Sequence, residues 1–475
     1  MPVSERYRPA DLFQRLGPEF ADPVAPARFP QHTLRFRNQA WASRVGLGTL
    51  TDEEWQAHFA RFEPLPENMR APSAMRYHGH QFRVYNPDIG DGRGFLFAQL
   101  YDDAGRLLDL ATKGSGQTPY SRFGDGRLTL KGGVREVLAA EMLETLGVCT
   151  SKAFSLFETG EALTRGDEPS PTRSSVLVRL GHSHVRFGTF QRLAFFERPD
   201  LIRVLIDHVV EAYYPHLAQT EGEARVAAVF GAIVEASARL TASWMAAGFV
   251  HGVLNTDNLN VTGESFDYGP WRFLPKSDPS FTAAYFDETG LYAFGRQPEA
   301  VSWALAQLGG ALTLACGAAA LEQEMTRFAP AYQQGLRASM FKRLHLAERQ
   351  LDEDLSFLQA LFDWLTQTQA PWDQFFHDWF GGGASSQRAA ESPQAALYAA
   401  AEFAVVREGL GARVRADAER RLEHPYFQRP TPHTMLIDEV EALWTPIAER
   451  DDWTLFETKL EQLREMREAL ALSCA

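Results

Sequence analysis

Cysteine is scarce in this chain. Cys149, Cys316 and Cys474 are the only three in 475 residues, too few and too scattered for a disulfide framework or a zinc site. Net positive charge is missing too. The 61 acidic residues outnumber the 47 basic ones and leave a formal charge of −14. That argues against a nucleic-acid partner, because a polyanion needs a basic face; any local basic cluster must then serve a small anion. Long apolar runs are also lacking. Val301–Cys316 comes nearest, but it is short and broken by Trp303, Gln307 and glycines, so no membrane span is expected. The opening Met1-Pro-Val-Ser-Glu-Arg-Tyr7 has neither the basic region nor the apolar core of a secretory signal. A cytoplasmic chain is expected. Its apolar fraction of 45% and aromatic fraction of 12% are those of a globular protein, and its length suggests two or three domains.

Four regions follow from the patterning. Residues 1–75 are rich in Pro and Arg and look like an N-terminal extension packed on a core. Residues 76–185 carry strand signals. Phe95–Leu100 and Leu107–Thr112 flank the turn sequence Asp102-Asp-Ala-Gly105, which predicts a hairpin. Val134, Val137, Leu138, Met142 and Leu146 share one helical face within Gly133–Leu146. Ala153–Phe157 and Val176–Leu180 then read as strands. The period turns helical over residues 186–380, with long amphipathic stretches at Leu201–Tyr214 and Ala224–Ala247. Gly381-Gly-Gly-Ala-Ser-Ser386 is the clearest internal loop or linker, and residues 381–475 form a C-terminal helical extension. The expected class is α+β, with a small β-rich lobe holding one key helix and a large helical lobe. That is the bilobal layout of a protein kinase.

The chemistry-bearing residues fit the same layout, with one exception. His251-Gly-Val-Leu-Asn-Thr-Asp-Asn258 matches the spacing H-x-D-x-x-x-x-N of a kinase catalytic loop, and Asp267-Tyr-Gly269 stands where D-F-G would. The position of the kinase base, however, is Val253. Asn258 and Asp267 are oxygen donors suited to a hard cation shared with substrate phosphates; each alone would read as a turn residue. Asp257 is the only carboxylate left in the loop to replace the missing base, or else a solvent-facing turn residue. Gly90-Asp-Gly-Arg-Gly94 offers Gly90 and Gly92 as backbone anion-cradle positions, though it is also an ordinary turn sequence. Lys113 ends the second strand of the hairpin, where a kinase holds phosphate, and Glu136 on the next helix is its natural partner, with Glu141 an alternative. Between them lies a polar, glycine-rich insertion, Gly114–Arg127, in which Asp125 and Gly126 are candidates for touching a nucleotide. Arg179 and Arg186 suit a charge clamp on a polyphosphate, although most arginines are plain surface residues.

Taken together, these residues resemble the selenoprotein O (YdiU) family of pseudokinase-fold protein adenylyltransferases. The likeness runs through His78-Gly-His-Gln-Phe82, Gly90–Gly94, Lys113-Gly-Ser-Gly116, Thr118-Pro-Tyr-Ser-Arg122, Gly124-Asp-Gly-Arg127, Arg135-Glu136 and Ser183–Gly188, and on through His251–Asn258 to Asp267-Tyr-Gly-Pro270. The resemblance implies ATP bound in a flipped orientation, with AMP passing to a Ser, Thr or Tyr hydroxyl of a protein and pyrophosphate leaving. It implies that Lys113, Arg179 and Arg186 hold phosphates, that Arg93, Asp125 and Gly126 contact the nucleotide, and that Glu136 braces Lys113. Asn258 and Asp267 would then carry Mg2+, with Mn2+ an alternative, and Asp257 would accept the proton. Two other readings stand beside it: a phosphotransferase with Asp257 as base, and an inactive ATP-binding scaffold. Cys474 occupies a C-terminal position where family members often carry a Cys or selenocysteine. Some pair it with a thiol after the D-Y-G loop, but Thr282-Ala-Ala-Tyr285 has none. No intramolecular redox latch is expected, and Cys149 and Cys316 read as buried small apolar residues.

Overall fold

A computed structural model describes residues 4–166 and 168–474. The first 75 residues contribute four short strands, β1 (Pro9–Ala10), β2 (Ala21–Pro23), β3 (Thr33–Arg37) and β4 (Ser73–Met75). A small separate hairpin follows, β5 (Gly79–Gln81) with β6 (Val84–Asn86). Then come β7 (Leu96–Tyr101), β8 (Leu107–Lys113), β9 (Leu128–Thr129), β10 (Lys152–Leu163) and β11 (Thr172–Gly181). Nine of these make one sheet in the order β2-β4-β7-β8-β11-β10-β3, with β1 added on β7 and β9 on β11. The N-terminal strands thus cover both edges of the central hairpin sheet, where unpaired backbone groups would otherwise face solvent.

The β7–β8 hairpin forms for a local reason. Asp102 accepts the backbone N–H of Ala104 (3.0 Å) and Arg106 (2.9 Å), and Gly105 takes the left-handed φ of 80° that the turn needs. All of β8 is buried, so Lys113 at its end enters the interior as a charge and requires partners there. The helix Leu130–Thr145 starts at Thr129, whose side chain accepts the N–H of Gly132. Its apolar stripe of Val134, Val137, Leu138 and Met142 is buried against the sheet, and this places Glu136 over the end of β8.

Beyond β11 the regular elements of the described chain are helices, apart from a two-residue pairing of Phe249–Val250 with Arg272–Phe273, and residues 251–293 are mostly loop. The architecture is therefore α+β. The predicted helices at Leu201–Tyr214 and Ala224–Ala247 are Pro199–Tyr213 and Gly222–Ala247. The second of these, not Val301–Cys316, is the stretch that reaches spanning length. It is long and apolar enough to cross a membrane, but 72% of its most apolar window is buried among neighbouring helices, which also selects for apolar residues.

Two further expectations are corrected. Gly381–Ser386 is not a free linker: Gly382–Ser385 is a 3-10 turn with Gly382 and Ser385 buried, and left-handed Gly381 and Gly382 let it pack against its neighbours. Cys149 and Cys474 are not unpaired; they form a disulfide across 325 residues of sequence. The pairing was hidden because it depends on the C-terminal helix. Thr454–Leu470 packs on Leu130–Thr145, with Arg467 bound to Glu141 (2.7 Å) and Glu144 (3.3 Å), and this carries Cys474 to the loop after that helix. Cys316 is buried and free, as expected.

Candidate active site

The sheet and the helices meet at a cleft of about 700 Å3. Gly90, Gly92, Arg93, Lys113, Asp125, Gly126, Arg179, Arg186, Asp257 and Asp267 all line it. Of the residues singled out from the sequence, only Glu136 and Asn258 do not line this cleft. Glu136 is buried behind it and bonds to Lys113, while Glu141 pairs with Arg467 instead. Asn258 closes a single 3-10 turn, Thr256–Asn258, and donates its side-chain N–H to the Val253 carbonyl (3.0 Å).

Asp267 is the electrostatic centre. It sits at a left-handed φ of 65°, a conformation a non-glycine residue holds only when its surroundings enforce it. Lys113 donates to its carboxylate, Arg179 lies at 3.3 Å and Arg186 at 3.9 Å. Burial opposes its ionisation, but these three cations outweigh burial and hold its carboxyl well below the usual range. Lys113 is shared between Glu136 and Asp267, so the strand, the helix and the loop are tied at one ammonium. His251 is buried and bonds the Phe266 carbonyl (3.0 Å), which joins the 251–258 loop to the Asp267 loop.

Asp257 is placed differently. Among the described residues no cation is ion-paired to its carboxylate; Arg186 donates at 2.7 Å to its backbone carbonyl instead. Its Oδ1 is sealed from solvent without a hydrogen-bond partner. Burial pushes the carboxyl up to about 6, against the pull of Arg186, so it exchanges a proton near neutral pH. The Nε atoms of Arg179 and Arg186 are likewise buried without partners. Buried polar groups are rarely left so, and all three residues line the cleft.

Several contributing residues carried too little signal in the sequence to be singled out. Asp91, inside the glycine motif, accepts from Arg186 at 3.3 Å and takes the Met75 N–H at 3.0 Å. Tyr77 lies under the Arg186 guanidinium, 4.6 Å from its ring centroid. Tyr120 explains Gly90: a Cβ there would meet the Tyr120 ring at 2.5 Å, and the Tyr120 hydroxyl is held by Asp22 from the N-terminal region. Gly126 has φ 69° and abuts the Gly116 carbonyl, leaving no room for a side chain. Asp91 was legible as part of its motif. Tyr77 and Asp22 were not, since their roles arise from distant packing.

For a divalent cation, the donors at hand are hard oxygens. Among the described residues no three His, Cys, Asp or Glu side chains gather into a cage. That suits an ion shared with substrate phosphates, where one or two protein oxygens suffice. A cleft with a cationic floor and a separate, proton-exchanging carboxylate is the site of an enzyme that handles a phosphorylated substrate.

Comparison with known proteins agrees. The profile of the family described as protein adenylyltransferase SelO matches residues 3–464. A protein nucleotidyltransferase YdiU of Synechococcus elongatus is 45% identical, covering 96% of this chain and 94% of the relative. One of Gloeobacter violaceus is 45% identical over 97% and 95%, and one of Pseudomonas putida 38% identical over 77% and 74%. The chain belongs to the SelO adenylyltransferase family, and with it to the nucleotidyltransferases.

Proposed function

We propose that the chain is a Mg2+-dependent protein adenylyltransferase that passes AMP from ATP to a Ser, Thr or Tyr hydroxyl of a protein, on a kinase-like bilobal frame. The observation that carries this is Asp257: a half-buried carboxylate with no ion-pair partner among the described residues, on the same cleft as the Lys113, Arg179 and Arg186 cluster, in a loop whose kinase base position is Val253. A kinase base four residues earlier would serve a γ-phosphate. Moving the base to Asp257 while keeping a strong cationic clamp favours attack at the α-phosphorus, with the β- and γ-phosphates held as the departing group.

In the reaction, Asp257 takes the proton of the acceptor hydroxyl as its oxygen attacks the α-phosphorus. The bond from the α-phosphorus to the bridging oxygen breaks, and its electron pair leaves with pyrophosphate. Lys113, Arg179 and Arg186 meet the charge that grows on that group, and Glu136 keeps Lys113 in place. Asn258 and Asp267 would hold Mg2+, which supplies charge neutralisation on the phosphates. Arg93 and the Asp125-Gly126 loop would flank the nucleotide.

The test is a pair of labelling reactions with Mg2+ and a protein acceptor, using ATP labelled at the α- or at the γ-phosphate. Covalent label from α alone is expected. Label from γ alone would mean a phosphotransferase, and no label with any acceptor would favour a scaffold. Val253→Asp should not create γ-transfer, because the nucleotide is turned the other way.

A further inference from the structure

The cleft has a second chamber. A cavity of about 320 Å3 shares Arg93, Lys113, Arg127 and Arg165 with the main cleft, then continues past the Lys113–Glu136 pair to Thr129, Gly132, Arg135 and the Tyr268-Gly269 backbone. Asp257 lines the main cleft and not this chamber, and the contacts that lead from Asp257 to the chamber run through the cationic cluster. The order across the site is Asp257, Arg186, Asp267, Lys113, Glu136 and then the chamber, each group bonded or ion-paired to the next.

The chamber's charge is unbalanced. Five cations, Arg93, Lys113, Arg127, Arg135 and Arg165, face two carboxylates, Glu136 and Glu168. Three of the five are already engaged: Lys113 with Glu136 and Asp267, Arg127 with Glu161 at 2.9 Å, and Arg165 with Asp125 at 2.8 Å. Arg93 makes no ion pair among the described residues and is exposed. Arg135 makes none either. Its guanidinium lies 4.8 Å from the Trp271 ring centroid and donates only to the Gly269 and Trp271 carbonyls, each at 3.3 Å. Burial, with Arg272 nearby, lowers its pKa to about 10. A half-buried guanidinium held only by long carbonyl contacts, with Glu136 and Glu441 near but not ion-paired to it, has donors left for an anion.

We propose that this chamber is a binding and exit site for inorganic pyrophosphate, with Arg135 as its anion-binding residue, so that the leaving group and the protein acceptor use opposite mouths of the cleft. The inference rests on the AMP-transfer reading. It follows the bond that breaks: pyrophosphate departs on the side away from the attacking hydroxyl in an in-line displacement, and the attacking side is fixed by Asp257. Arg135, which is not among the residues assigned to the bound nucleotide, takes over charge that Lys113, Arg179 and Arg186 release.

The probe is magnesium pyrophosphate. Its inhibition constant against α-labelled AMP transfer is measured in the full chain, and its direct binding by calorimetry in the absence of ATP. Arg135→Gln is expected to raise both constants about tenfold, with Arg135→Lys staying within about threefold of wild type because the charge is kept. A purely structural strut between Arg135 and the Gly269 carbonyl would not distinguish pyrophosphate in this way. If Arg135→Gln does not fold, Glu168→Gln gives an opposite-sign test: removing a chamber carboxylate should tighten pyrophosphate about threefold. Unchanged pyrophosphate constants in the folded Arg135 variant, or in Glu168→Gln if that variant is the one used, overturn the proposal. Failure of wild-type α-transfer alone would refute AMP transfer, and the calorimetric comparison would still decide the chamber.

Discussion

Lys113→Met removes the one ammonium that buried Glu136 and half-buried Asp267 share. Lys113 is 7% exposed at its side chain, Glu136 3% and Asp267 23%. In the variant, Asp267 keeps Arg179 and Arg186, so the uncompensated charge falls on Glu136. Breaking a buried ion pair by removing one partner costs about 3–5 kcal/mol. With an unfolding entropy of roughly 2.1 cal/mol/K per residue, a chain of this length loses on the order of 1 kcal/mol per degree, so Tm should fall by about 3–5 °C. The assay is thermal unfolding of wild type, Lys113→Met, Glu136→Gln and the double variant. The double variant is expected to recover most of the loss, because its remaining groups carry no stranded charge. Transfer activity should stay low in both variants that lack Lys113, by roughly ten- to a hundredfold, as expected for the loss of one charge-assisted hydrogen bond of about 1.5–3 kcal/mol. An unchanged Tm in Lys113→Met, or a double variant no more stable than the single, would refute the shared-ammonium account.

Three further outcomes are expected. The transfer rate should climb as pH rises through about 6, because Asp257 is a base only when deprotonated and its carboxyl is raised to that value; Asp257→Asn should abolish both the activity and the limb. Asp267→Ala should eliminate transfer at every Mg2+ concentration, since it removes the oxygen at the centre of the site, and should also lower Tm because it strands the buried Arg179; retained turnover would argue against its proposed role as metal ligand. Reducing agent should lower the Tm of wild type by roughly 2–5 °C and leave Cys474→Ser unchanged, because the Cys149–Cys474 bond closes a loop of 325 residues whose chain entropy is worth up to about 5 kcal/mol.

Much of the local structure was written in the residues themselves. The Asp102–Gly105 turn, the 3.6-residue stripe of Leu130–Thr145 and the long amphipathic helices depend on short-range patterns, and each appears within a few residues of its expected limits. The spacing of His251, Asn258 and Asp267 is local too, and it marked the loops before any contact was known. What the sequence could not decide is which distant groups meet. Glu136 and Glu141 lie five residues apart on one helix, and only the packing of that helix on β10 and β11 turns Glu136 to Lys113 and leaves Glu141 to Arg467. The Cys149–Cys474 bond, the hold of Asp22 on Tyr120, and the chamber behind Lys113 likewise join segments far apart in the chain. Local periodicity sets which face of an element is apolar. The charge on the other face finds its partner only when the whole chain closes, because an ion pair in a dry interior depends on ångström-scale distances between elements rather than on spacing along the sequence.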